Sequence, residues 1–207
     1  MSIIENIFQM VATGGCGLYA LCKHISSQKR EWLLLGLISG AFFFGDLYWF
    51  LYLYFYGETP PAISMVSEFS WYASMCFLIL LLQYAGGDHL KERTSKLPWA
   101  GPVFAGVMCI YFMTMGDYAS NIIMAVLMGA ILYYSIQGMI LFKGSDSGKK
   151  HVFTMAFIFC VLEYSLWMLS VIWIGGESAR NPYYWCDVMI SLWFILMIPA
   201  VRKAVDE

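Results

Sequence analysis

The chain has 207 residues, of which 60% are hydrophobic and 13% charged, with a formal net charge of −2. Soluble domains carry about 25% charged residues, so this composition excludes a water-solvated globule and makes lipid the solvent for most of the chain. There is no basic tract or acidic tail, which argues against a nucleic-acid partner.

About 20 consecutive apolar residues cross the hydrocarbon of a bilayer. Seven segments reach that length, at about 3–22, 31–56, 64–86, 98–116, 119–142, 151–174 and 182–201. The first carries Glu5 and no leading Lys or Arg, unlike the basic start of a removable signal peptide, so it reads as a retained helix. Its Gly14-Gly15-Cys16 loosely matches a lipoprotein cleavage site, but Thr13 stands where an aliphatic residue is required. The breaks are Lys29-Arg30, Pro60-Pro61, Asp88 to Lys96, Gly116-Asp117, Gly144 to Lys150 and Arg180-Asn181-Pro182, the fourth being the shortest. The sequence therefore predicts an all-α integral membrane protein: one seven-helix domain over residues 1–207.

Charge placement orients it. With the N-terminus outside and the C-terminus cytoplasmic, Lys23, Lys29, Arg30, Lys91, Arg93, Lys96, Lys143, Lys149, Lys150, Arg202 and Lys203 all fall inside. Of the 12 basic residues only Arg180 is left outside, as the positive-inside rule requires. Seven helices in this order permit a 3+1+3 parallel repeat, helices 1–3 and 5–7 joined by a linking fourth. Gly57-Glu58 precedes Glu68 as Gly176-Glu177 precedes Asp187, and the helix before each carries a central acid, Asp46 or Glu163. Repeats of this kind occur in transporters.

These four carboxylates are the chemistry of the chain. A charge at mid-bilayer costs at least about 2.5–3.5 kcal/mol on insertion scales, so each acid should face a bundle interior or a wet cavity. Topology puts Asp46 and Glu163 near the midplane and Glu68 and Asp187 about one turn in from the outer surface. All four can share one site in the outer half. Aromatic residues accompany them at helical spacing: Trp49 and Phe50 with Asp46, Trp71 and Tyr72 with Glu68, Trp167 with Glu163, Tyr183 and Tyr184 with Asp187. Carboxylates beside aromatic faces suit a small organic cation. The ligand-binding set is Asp46, Trp49, Glu68, Trp71, Tyr72, Glu163, Trp167, Tyr184 and Asp187. The competing reading makes the acids protonated donors of hydrogen bonds between helices, and Glu58 and Glu177 solvated loop acids.

Other features read as structure. The cysteines (Cys16, Cys22, Cys76, Cys109, Cys160, Cys186) lack zinc spacings and, with the methionines, read as packing. His24, His89 and His151 fall at inner helix ends, so no metal or cofactor is expected. Gly36, Gly40 and Gly45, and Gly101 and Gly106, are expected at close helix contacts, and Pro199 at a kink or end. The last helix has no Lys for a retinal Schiff base before Lys203.

Residues 30–72 carry a recognisable pattern: Arg30-Glu31-Trp32, Gly36, Gly45-Asp46-Leu47-Tyr48-Trp49, Gly57-Glu58-Thr59-Pro60-Pro61 and Ser67-Glu68-Phe69-Ser70-Trp71-Tyr72. It resembles the membrane sensor module found in front of bacterial GGDEF and EAL signalling domains. Asp46 and Trp49 match that family's acid and Trp. Glu68 stands where it usually has Asp, and Trp71 where it usually has Tyr. Met65 replaces its Ser, and Ser74-Met75-Cys76 its Phe-Tyr-Pro. The resemblance implies a bacterial cell membrane and a sensor that, lacking an attached output enzyme, signals through a cytoplasmic or membrane partner.

Three functions are thus on the table: a sensor-like binder of a small, cationic ligand, a small secondary transporter of a cation or proton-coupled solute, and a structural subunit of a membrane complex, with self-association open. An enzyme is not expected, because the spans hold no His and no nucleophile or metal motif, although an intramembrane hydrolase using paired carboxylates is not excluded.

Overall fold

A computed structural model describes residues 2–58, 60, 66–91, 95–144, 147–173 and 180–206. Seven α-helices are present among them: α1 (Ser2–Ser27), α2 (Arg30–Tyr56), α3 (Val66–Gly86), α4 (Ala100–Met113), α5 (Tyr118–Leu141), α6 (Gly148–Ile172) and α7 (Pro182–Val205), with short 3-10 turns at Gly87–Lys91 and Leu97–Trp99. No strand occurs among the described residues. Pro61, Met65, Arg93, Gly176 and Glu177 lie outside them.

The helix ends follow local chemistry. Gly57 closes α2 in the left-handed region at φ 71°, its N–H donating to the Leu53 carbonyl, a conformation that costs glycine nothing. Ser147 caps α6 by accepting from the Lys150 N–H. Asn181 caps α7 by accepting from the Tyr183 N–H, with Pro182 at the first helical position, where its missing N–H is no loss. Pro98 sits in the turn that leads into α4 and shortens it.

Among the described residues five helices are long and apolar enough to cross a membrane: α2, α3 with its following turn, α5, α6 and α7. The apolar stretch through α4, Leu97–Met113, is shorter. In α1 the apolar character is broken by Glu5, Asn6, Gln9 and Thr13, all buried on its inner face. Outward faces carry large apolar side chains such as Leu51, Val103, Val107, Ile110, Val126, Val161, Met189 and Leu196. Helices apolar on the outside as well as the inside are stable only in lipid. The chain is a helical membrane protein.

Six helices form a closed ring. α1 packs on α2, α2 on α3, α3 on α5, α5 on α6, α6 on α7, and α7 back on α1, with smaller α2–α7 and α3–α6 contacts across it. The fourth helix leans on α5 from outside, touching α6 through Phe104 on Tyr164 and Phe112 on Trp167. Exchanging α1–α3 for α5–α7 turns every ring contact into another ring contact: α1–α7 becomes α5–α3, and α2–α7 becomes α6–α3. A plug of fully buried side chains, including Met75, Leu78, Met128, Ile131, Phe153, Phe159, Trp193, Phe194 and Met197, fills the ring.

Close approaches are made where glycine removes a side chain. A Cβ at Gly36 would strike Leu21, one at Gly45 the Trp71 indole, and one at Gly101 the α5 backbone at Leu132–Tyr133. Gly106 is not at such a contact, contrary to expectation, and a side chain at Gly106 or Gly40 would itself meet nothing within 4 Å. Gly40 still meets α1 through its backbone, since a Cβ at Gly17 would lie 3.4 Å from the Gly40 nitrogen. Glu58 is exposed.

Candidate ligand-binding cavity

Above the plug, at the end where α1, α3, α5 and α7 begin and α2, α4 and α6 finish, lies a cavity of about 400 Å³. Asp46, Glu68, Glu163 and Asp187 all line it, together with Trp49, Trp71, Tyr72 and Trp167. These four acids, from Asp46 to Asp187, thus reach one space from four helices, two in each half of the ring, and Asp117 at the start of α5 adds a fifth carboxyl to the lining. Among the described residues no Lys, Arg or His side chain lines it.

Asp46 is the most deeply set, 2% exposed, on α2. Its Oδ1 accepts from Trp71 Nε1 at 3.2 Å, while its Oδ2 is buried with no partner. Gly45 makes that bond possible: a Cβ there would fall 2.6 Å from the same indole nitrogen. Trp71 also packs on Trp49 and Phe42, with ring centroids 6.1 and 6.2 Å apart. Asp46 lies within the fields of Asp187 and Glu163.

The other acids are held across the ring seams. Asp187 Oδ1 accepts from Gln9 Nε2 of α1 at 2.6 Å, and its carboxyl also hydrogen-bonds that of Glu5. Across the opposite seam, Glu68 Oε2 accepts from Ser120 Oγ of α5 at 3.3 Å and from Tyr72 Oη at 3.4 Å. Tyr72 and Ser120 hydroxyls also bond each other. Ser120 is itself fixed by Asp117, which opens α5 and accepts from the Ser120 N–H. Glu163, 5% exposed, projects from α6 beside Trp167, which meets Phe112 edge-on.

At the opposite end Asp88 and Asp206 are paired with bases. Lys91 Nζ donates to Asp88 Oδ1 at 2.6 Å. That bond and the ammonium charge hold the Asp88 carboxyl below its ordinary range and the Lys91 ammonium above its own. The cavity acids have no such partner among its lining residues.

One expectation is corrected. Tyr184 is buried but does not line the cavity, whereas Tyr183 does. With 3.6 residues per turn, a residue four before Asp187 lies about 40° from its direction and one three before about 60°, which turns Tyr184 aside. The sequence reading also passed over α1 and α5: Asn6, Gln9, Ser120 and Asn121 line the cavity and Glu5 abuts it through Asp187. The signal was present, since Glu5, Gln9 and Thr13 repeat every four residues on one helix face. Among the described residues no group of His, Cys, Asp and Glu is arranged to hold a metal ion.

No family model matches the chain, and no curated protein and no solved structure matches it either.

Proposed function

We propose that this protein binds a small organic cation in the outer half of a seven-span bundle whose N-terminus is outside and whose C-terminus is cytoplasmic. The orientation rests on the positive-inside rule: ten described basic residues, from Lys23 to Lys203, cluster at the end away from the cavity, with Arg180 alone at the cavity end. The observation that carries the reading is Asp46, whose Oδ2 is buried and unpartnered, in the wall of a cavity with four further carboxyls and, among the described residues, no basic side chain. An unpaired buried carboxyl is costly, and a cation seated on Trp49, Trp71 and Trp167 offsets that cost through both charge and ring quadrupoles.

In the sensor-type reading, occupancy shifts α1 and α7 or α3 and α5 against each other, and a partner reads the change at the basic inner face. Transport is the second reading. It is favoured by the ring's self-exchange of contacts, which puts Asp46 opposite Glu163 and Glu68 opposite Asp187, the arrangement of a parallel repeat with its site between halves.

A thermal-shift panel tests binding. A ligand that prefers the folded state raises the melting temperature by mass action. Quaternary ammonium ions should raise it in wild type and leave Asp46→Asn unmoved; a response to anions or neutral metabolites alone would overturn the proposal. Net uptake of a binding cation into proteoliposomes would separate transport from sensing.

A further inference from the structure

The polar bridges over the two ring seams correspond. Gln9 of α1 donates to Asp187 of α7, and Ser120 of α5 donates to Glu68 of α3; exchanging the ring halves turns one into the other. They differ in one respect. The α1–α7 seam holds a second carboxyl, Glu5, one turn before Gln9, 4% exposed and hydrogen-bonded to Asp187. On the α3–α5 seam the nearest counterpart, Asp117, is engaged with the Ser120 backbone instead.

Two ionised carboxylates are acceptors only, so a hydrogen bond between carboxyls needs a proton on one of them. Asp187 Oδ1 also accepts from Gln9, which favours the ionised form of Asp187, so the proton of the pair sits on Glu5 as the donor. The remaining Glu5 oxygen, Oε1, is buried with no partner. The titratable groups facing the pair are Asp46 on α2, Glu163 on α6, and Tyr183 and Cys186 on α7. None is a base, and residue 1, with its amino group, lies outside the described residues.

We propose that the Glu5–Asp187 pair holds one proton in the empty site and surrenders it when a cation binds, so that the protein exchanges a proton for an organic cation. The step rests on the cation-site reading above, and it balances. The Glu5 O–H bond breaks, its electrons stay on the carboxylate, the proton leaves for solvent and the single positive charge of the ligand takes its place. Asp46, which lines the cavity and has one carboxyl oxygen without a partner, is the anchor from which the ligand's field reaches the pair.

Tetraethylammonium is the probe, titrated calorimetrically into purified wild type and Glu5→Gln at several pH values between about 6 and 8, in buffers of different ionisation enthalpy. By linkage, release of about one proton makes apparent affinity rise about tenfold per pH unit. The wild-type measurement stands without the variant. Glu5→Gln keeps a donor toward Asp187 but no transferable proton, so it should bind with about one proton fewer released and a correspondingly flatter pH dependence. Binding in wild type with no proton release would overturn the exchange and leave the cation site standing. Equal release in Glu5→Gln would overturn the assignment to this pair. No binding at any pH would overturn the cation site, and the exchange with it.

Discussion

At the scale of single residues, the account turns on what each cavity carboxyl touches. Asp46 has one oxygen bonded to Trp71 and one free of partners. Asp46→Asn should therefore leave the melting temperature unchanged or higher, because removing an uncompensated buried charge relieves a cost. The same change should lower affinity for a quaternary ammonium by at least about tenfold, or about 1.4 kcal/mol. Thermal unfolding and calorimetry on one preparation check both halves. Glu163→Gln should behave alike, and full binding by both variants would contradict the role given to the acids. Gly45→Ala probes the same contact from the backbone. The added methyl pushes the Trp71 indole off Asp46 and should destabilise by roughly 1–3 kcal/mol, with loss of binding visible as a changed tryptophan emission response to ligand. The four acids were legible in the sequence because a carboxyl in an apolar span is expensive and so stands out. Glu5 shows in the sequence only through its four-residue repeat with Gln9 and Thr13, because an acid at the edge of an apolar stretch otherwise looks like an interfacial residue until α7 is seen to lie against it.

At the scale of helices, the fold depends on a few backbone approaches. A Cβ at Gly148 would collide with the Ala204 nitrogen, where α6 starts against the end of α7, and one at Gly138 would enter the Phe153 ring. Gly148→Ala and Gly138→Ala should each cost roughly 1–3 kcal/mol through overpacking. Gly40→Ala, with open space around it, should be neutral or stabilising by up to about 1 kcal/mol from helix propensity. Melting temperatures of the three variants in one detergent check the contrast, and an inverted order would contradict the packing. Span positions were legible from apolar length. Their ends were not: α1 runs on to Ser27 and α6 begins at Gly148, because Ser147 caps α6 and polar turns extend beyond the apolar run. Nor does apolarity tell that α4 stands outside the ring, since a lipid-facing helix and a ring helix look the same by hydropathy alone.

At the scale of the molecule, one asymmetry and one internal symmetry define the protein. Acids without bases gather at one end, and basic side chains at the other. In the proposed orientation, a cysteine placed at Glu58 in a cysteine-free background should react with an impermeant maleimide added to intact cells, while one at Lys149 should react only after lysis. The reverse pattern would turn the cavity to the cytoplasm and overturn the outer-half site. The second feature, the self-exchange of ring contacts, was only hinted at by the paired spacings of Glu58 with Glu68 and Glu177 with Asp187. Spacing along a chain carries no information on which helices meet, and the seam residues Gln9 and Ser120 share no residue type that would betray their equivalence.

The central claim is that charge, held against Asp46 and the aromatic rings, is what the cavity recognises. The most direct measurement is the affinity of purified protein for tetraethylammonium beside its neutral carbon isostere, in wild type and Asp46→Asn. The account predicts saturable binding of the cation to wild type, at least about tenfold weaker binding to the variant, and no comparable binding of the isostere to either. Equal binding of cation and isostere, or equal binding of the cation by wild type and Asp46→Asn, would contradict it.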